Sequence, residues 1–473
     1  MIGEEVFFLS IREIGAHLRA KRISAVDLAE MSLRRLETIG PRLGAVVTVT
    51  RERALAQAHR ANQELLAGKD RGPLHGIPCG VKDLLATKGI PTTWGAEPLR
   101  EQVFDFDATV VRRLEEAGAV LVAKLAMVEL AGGLGYNNPD ASFTGPGRTP
   151  WNPDHWSGGS SSGSGAAVAA GLVPFAIGSE TSGSILSPAA CCGVTGLRPT
   201  YGLVSRHGAM ALAWTLDKLG PLARSADDCA LVLSAIAGPD PEDPTTGAGF
   251  SHRDKPAKRG RPGQRFRIGV LRHATADTDP DVEARFRETL STLRDVADLE
   301  DDVALPDLPY REAVGVIIDA EGGAAFRDLI ESGRVKQLRD PADRVGGYAM
   351  LMTRAADYVD AMRVRVAVRR DLDALLSRYD AVVAPARNRL APPIGRDFDG
   401  PATPAPEAPR PPAVTQAGNL AGLPAIAMPI GFGRDRLPVS IQLLGRAHSE
   451  ETLVAVADAY QEMTNWHRQR PAV

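Results

Sequence analysis

Between residues 155 and 193 the chain reads HWSGGSSSGSGAAVAAGLVPFAIGSETSGSILSPAACCG. Two Ser/Gly clusters bracket an apolar run, and four serines fall in the five residues 160–164. A flexible linker gains nothing from Ala-Ala-Val-Ala-Ala and Val-Pro-Phe-Ala-Ile at its centre. The run is therefore expected to be a buried helix and strand, with each cluster forming a loop at one end. Such a chain must supply a core large enough to cover both elements. With 473 residues, 44% hydrophobic and 24% charged, it can do so as one large domain or two.

The rest of the sequence alternates in the same way. SIREIGAHLRAKRISAVDLAEMSLRRLETIG has apolar residues at helical spacing, with Ser24 placed as an N-cap. PRLGAVVTVT reads as a strand, RERALAQAHRANQELLAG as a helix, and GPLHGIPCGVKDLLA as a turn into a buried strand. EAGAVLVAKLAM gives a helix end and a short apolar strand, and LPVSIQLLGRAHSEETLVAVADAYQEM a strand followed by a helix. This alternation predicts an α/β domain with a largely parallel sheet. Two segments depart from it. The basic, Gly/Pro-rich SHRDKPAKRGRPGQRFR (251–267) is read as a solvated connector rather than a nucleic-acid patch, having one aromatic and no readout motif. The Pro-rich 390–414 segment is read as a long surface loop or pocket lid rather than a partner-binding polyproline tract.

Charge and composition remove several classes of function. A net charge of −3 gives no global field for nucleic acid, so no nucleic-acid partner is expected. The start, MIGEEVFFLSIREIG, lacks the basic region and long apolar stretch of a secretory signal, and the longest apolar run contains Pro174; no membrane association is expected. Cys79, Cys191, Cys192 and Cys229 form no C-x-x-C pair, so neither a disulfide framework nor a zinc ribbon follows. Reduced cysteines and a cytoplasmic location are the expectation. There is no H-E-x-x-H or H-x-x-H, and no catalytic metal is expected.

A serine hydrolase remains open. GSSSG (159–163) matches a nucleophile elbow around Ser161, but the loop-like TPWNPDHWSG precedes it where a strand is required. The same run lacks the G-K-[ST] ending of a phosphate-binding loop. His75, His155 and His207 lie near these loops, and spacing alone does not exclude a Ser-His-Asp arrangement. A neutral lysine can replace histidine as the base, whereas arginine does not deprotonate. Of nine lysines, Lys82 and Lys124 sit in apolar strands, where burial lowers the ammonium pKa. Residue chemistry alone leaves the two tied, and leaves SETSGSILSP open as either an oxyanion loop or an ordinary Gly-Ser turn.

Three separated segments, GPLHGIPCGVKD, GGSSSGSGAAVAAG and GSETSGSILSPAACCGVTGLRPTYG, together resemble the amidase signature family, the Ser-cisSer-Lys hydrolases. Weaker likeness covers nearly the whole chain, including NLAGLPAIAMPIGF near its end. The resemblance implies one domain over 1–473, built on a large mixed, mostly parallel β-sheet covered by helices on both sides. Its parts would be a helical start (about 1–70), a signature core (about 71–235), a variable substrate-side region (about 236–412) and a C-terminal strand-helix part (about 413–473). It assigns Lys82 as base, Ser160 as the bridging serine after a cis peptide, and Ser184 as nucleophile, 24 residues beyond Ser160. It further implies an oxyanion hole from the N–H groups of Thr181, Ser182, Gly183 and Ser184, and no cofactor.

The family commonly reads D-T-G-G-S-I-R at the nucleophile; here it is ETSGSIL. Glu180 replaces Asp, Ser182 replaces Gly, and Leu186 stands where Arg is usual. Leu186 and Met127 are candidate substrate-binding residues, with plain core packing an equal alternative, and Trp151, Trp156 and Trp214 are candidates for an aryl pocket. The expected activity is hydrolysis of the C–N bond of a neutral aryl or alkyl amide through an acyl-serine. Alternatives are a carbamate or ester hydrolase on the same site, the glutaminase component of a tRNA-dependent amidotransferase, which would need partner subunits, and a non-catalytic binding protein. The expected partner is a small-molecule amide, and a homodimer is left open.

Overall fold

Helix starts follow directly from local side-chain chemistry. Ser10 and Ser24 each open a helix with a reciprocal capping box, to Glu13 and Asp27, so that two otherwise orphaned N–H groups are satisfied at each start. The helical pattern over residues 10–40 is two helices, Ile11–Arg19 and Ala25–Thr38, the second opening after Ser24 as its N-cap placement predicts. The break lies at residues 20–24, where Ser24 competes for the backbone as a cap. These and all later features come from a computed structural model that describes residues 3–247, 249–250, 265–398 and 409–472.

Eleven strands form one sheet. In chain order they are β1 (Val46–Val49), β2 (Pro78–Lys82), β3 (Val120–Leu125), β4 (Phe175–Glu180), β5 (Thr195–Arg198), β6 (Lys218–Ala223), β7 (Phe266–Leu271), β8 (Ala297–Val303), β9 (Ala381–Pro385), β10 (Ala425–Phe432) and β11 (Pro438–Leu444). Their order across the sheet is β1-β3-β2-β4-β6-β5-β10-β11-β9-β7-β8. The α/β class and the mixed sheet are as expected. The parallel share is smaller: β2 pairs in parallel with β3 and β4, and β7 with β8 and β9, while the other six pairings are antiparallel. Every residue of β2, β3, β4, β6, β9 and β11 is buried, which is why these strands read as continuous apolar runs. The edge strand β8 instead carries ADLEDDV, whose exposed acids discourage pairing with another chain.

Helices Ser162–Ala169 and Leu186–Cys192 pack on each other, the first on β4 and the second on β10 and β11. Helices Ala226–Ile236, Pro280–Leu293 and Glu450–Met463 form another contiguous layer against β5, β6 and β10. The buried run between the two Ser/Gly clusters is thus a helix and the central strand β4. Gly163 is required where that helix meets the sheet, because a Cβ there would lie 2.3 Å from Ala45 O and 2.5 Å from Ala126 N. The four cysteines are buried and unpaired. Among the described residues no helix is long and apolar enough to cross a membrane. Most of the basic 251–267 segment and the centre of the Pro-rich 390–414 segment lie outside the described residues.

Candidate active site

Parallel pairing sets the geometry of the site. In the parallel β2–β4 ladder Val81 pairs with Ile177, so Lys82 and Ser179 lie at the same end of the two strands. Lys82 Nζ lies 2.9 Å from Ser179 Oγ and 2.7 Å from Ser160 Oγ. The peptide bond between Gly159 and Ser160 is cis. The other serines of the first cluster hold the loop to its surroundings. Ser161 Oγ donates to Ser179 O and accepts from Ser179 N, Ser162 Oγ donates to Ala126 O, and Ser164 Oγ donates to Ile177 O. One serine therefore faces Lys82, and three anchor the turn that presents it.

The two strand lysines have opposite environments. Lys82 is 0% exposed and ion-pairs with no carboxylate among the described residues. Burial pushes its ammonium down to about 7, against the weaker pull of Asp217 and Glu180. Lys124 is equally buried, but its Nζ meets Asp83 Oδ1 at 2.9 Å and Thr92 Oγ1 at 2.6 Å. Lys124 is thus held in a structural ion pair, and Lys82 is poised to lose its proton near neutrality. A third interior lysine, Lys218 on β6, went unread in the sequence; its Nζ donates to Asn419 Oδ1 at 2.7 Å. The apolar run LGPLA that follows it was the signal.

After β4 the chain turns through Thr181–Ser184, with Gly183 at φ +97°, and enters the helix Leu186–Cys192. The N–H groups of Ser182, Gly183 and Ser184 donate to no atom among the described residues. Two buried acids hold this turn. Glu180 Oε2 accepts from Ile185 N at 2.8 Å and Leu186 N at 3.0 Å, while its Oε1 accepts from Arg198 and Asn419, each at 2.8 Å. Burial would raise the Glu180 carboxyl, but Arg198 and Lys218 hold it below its ordinary range. Asp217 accepts from Thr181 Oγ1 at 2.6 Å and from the N–H groups of Leu212 and Ala213. No hydrogen bond joins the Ser184 hydroxyl to Ser160; Ser184 is tied to the first cluster through its carbonyl, which accepts from Ser161 N at 3.3 Å.

Ser184 opens into a cavity of about 550 Å³. Thr181, Ser182, Gly183 and Leu186 share its wall with Tyr136, Trp156 and Phe398, whose rings pack against one another. Met127 does not; it is buried within the main core. Of the other tryptophans, Trp151 donates to Cys192 O and packs on Phe432, while Trp214 is 51% exposed beneath the Arg206 guanidinium. No described histidine lines the cavity: His75 meets Glu64 at 3.2 Å and His207 packs on Phe106. Although Leu186 stands where the family commonly has Arg, the wall is not without cations. Arg311, Arg387 and Arg389 lie on it, brought there from the far part of the chain.

The family model Amidase matches residues 27–454. A glutamyl-tRNA(Gln) amidotransferase subunit of Roseiflexus sp. (strain RS-1) is 39% identical, covering 98% of each chain. The subunit of the same name from Carboxydothermus hydrogenoformans is 36% identical over 99% of each. Among solved structures, the native peptide amidase of Stenotrophomonas maltophilia superposes with a TM-score of 0.81 at 31% identity, covering 98% of each chain. A structure described as "An unexpected vestigial protein complex reveals the evolutionary origins of an s-triazine catabolic enzyme" gives 0.88 at 33% identity, covering 96% of this chain and 98% of its own. With buried helices, an 11-stranded mixed sheet and these relatives along nearly its full length, this chain belongs to the amidase family and is a hydrolase of C–N amide bonds.

Proposed function

We propose that this chain cleaves a carboxamide through an acyl-enzyme on Ser184, with Ser160 and Lys82 as the proton relay. The observation that carries the reading is the 2.7 Å approach of Lys82 Nζ to Ser160 Oγ, by a lysine that burial brings down to about 7. Neutral Lys82 takes the Ser160 proton as Ser160 takes that of Ser184, once the Ser184 hydroxyl turns toward it. Ser184 Oγ bonds to the carbonyl carbon, and the oxygen becomes an anion held by the N–H groups of Thr181, Ser182, Gly183 and Ser184. As the C–N bond breaks, the relay returns a proton to the leaving nitrogen. Water then adds to the acyl carbon, gives a proton to the relay and releases the carboxylic acid with Ser184 restored. A carbamate or ester, or an aryl or alkyl amide, would be cleaved by the same steps.

The names of the relatives support a second reading, a glutaminase subunit that works with partner subunits of a tRNA-dependent amidotransferase. The two readings separate on whether the chain is active alone. Intact-protein mass after a serine-directed acylating probe, on wild type and Ser184→Ala, is paired with release of p-nitroaniline or ammonia from simple amides. One adduct that the variant loses, with turnover by the isolated chain, is the expected result. An adduct that persists in Ser184→Ala overturns the assignment of the nucleophile. An adduct on wild type without turnover until partner subunits are added favours the second reading.

A further inference from the structure

Beyond β9 the chain runs Ala386–Arg387–Asn388–Arg389 along the cavity wall. Arg387 Nη1 donates to Ser187 Oγ at 2.8 Å, and Ser187 N donates to Gly183 O at 2.8 Å. The guanidinium therefore sits on the first turn after the nucleophile. That neutral hydroxyl is its one hydrogen-bond partner among the described residues, and it has no ion pair there. Its Nε is buried without an acceptor. Other arginines of the interior have their charge or donors met: Arg198, although its Nη2 also lacks an acceptor, pairs with Glu180 at 2.8 Å, Arg206 with Asp243 at 3.3 Å, and Arg365 donates to the carbonyls of Leu420 and Thr215.

The wall around Arg387 has the same bias. Arg389 is neutralised by Asp277 at 2.6 Å, but Arg311 has no ion pair among the described residues. Trp156, 4% exposed, also has an indole N–H without an acceptor. No Asp or Glu lines the cavity among the described residues. Buried donors without acceptors, next to an unmatched cation, complement an anion, and a guanidinium suits the planar carboxylate in particular. We propose that the substrate is a carboxamide that also carries a carboxylate, bound by Arg387, with the scissile carbonyl at Ser184. The inference rests on the amide-hydrolase reading above. It goes against a free α-amino group on the substrate, because an ammonium would meet arginines and no acid.

The test compares ammonia release from succinamate and glutaramate with that from butyramide and from glutamine. The expected kcat/KM for the carboxylated amides exceeds that for butyramide by about 100-fold or more, and exceeds that for glutamine. Arg387→Met should cut the succinamate-to-butyramide ratio at least about tenfold, mainly through KM, with Arg387→Lys recovering part of it. Calorimetric binding of glutarate to wild type, weakened in Arg387→Met at unchanged melting temperature, gives a readout free of turnover. Butyramide cleaved as well as succinamate, or a ratio that survives Arg387→Met, overturns this inference and leaves the amidase reading standing. Preference for glutamine over glutaramate overturns it in favour of an amino-acid pocket. No glutarate binding and no acylation of Ser184 by any amide overturns both.

Discussion

Lys82 Nζ lies 2.7 Å from Ser160 Oγ in the closed interior of the sheet, and no described carboxylate ion-pairs with it. The sign of the resulting pH dependence follows. Burial lowers the lysine from 10.5 to about 7, so the neutral base is absent in acid and forms as pH rises through about 7. The expected kcat/KM on a neutral amide rises through that value and levels off above it. Lys82→Arg, which keeps the charge but does not deprotonate, should cost about 10²–10⁴-fold in kcat. A pH–rate profile that is flat from 5 to 9 would count against Lys82 as the base.

Glu180 and Arg198 are both 0% exposed and meet at 2.8 Å beneath the Thr181–Ser184 turn. Glu180→Gln removes the charge that Arg198 needs and leaves a buried guanidinium unpaired. The expected loss is about 3–5 kcal/mol in a urea unfolding titration, with kcat reduced because Ile185 N and Leu186 N lose their anionic acceptor.

Gly183 is at φ +97°, and a Cβ there would meet nothing nearer than Thr415 Cγ2 at 3.5 Å. The cost of Gly183→Ala is therefore one of backbone conformation and not of collision, about 1–3 kcal/mol. If the turn relaxes instead of bearing that cost, the N–H groups proposed to hold the oxyanion move. Urea titration and kcat together show which occurs, and an unaltered kcat with unaltered stability would exclude any role for this backbone geometry.

Asp343 is buried against Glu129. Burial, reinforced by the Glu129 carboxylate, pushes its carboxyl up, so the folded protein keeps a proton that the unfolded chain releases near pH 4. Stability from this group is present in acid and is lost as pH rises from the ordinary carboxylate range toward the raised value. Melting temperature of the wild type should therefore fall relative to Asp343→Asn between pH 5 and 9. A difference between the two that stays constant with pH would refute the shift.

Much of the local structure was legible in sequence because it depends on neighbours in the chain. Ser24 as an N-cap, the strand at 46–49 and the helix after Thr50 need no distant partner to be specified. The helical break at 20–24 is marked by Ser24 alone, because apolar spacing continues across it while the capping chemistry interrupts it. The parallel share of the sheet was overstated because alternation of helix and strand does not report which way β5, β6, β10 and β11 run.

For the site, the sequence by itself determined the family, through three motifs whose residues pack the backbone closely and leave few substitutes. It could name Lys82, Ser160 and Ser184 as candidates, but it could not separate Lys82 from Lys124 on chemistry alone. Asp83 does that, by pairing with Lys124 at 2.9 Å and leaving Lys82 without a counter-ion, a distinction that exists only once β2 and β3 lie side by side. Leu186 and Trp156 were candidates for the cavity wall from sequence, but its arginines were placed there by tertiary structure alone. Arg387 reaches Ser187 across 200 residues of chain, and nothing in the periodicity of either segment encodes that meeting. Local pattern specifies elements because propensity and capping act within a few residues; the charge of a pocket arises from which distant elements the sheet brings together.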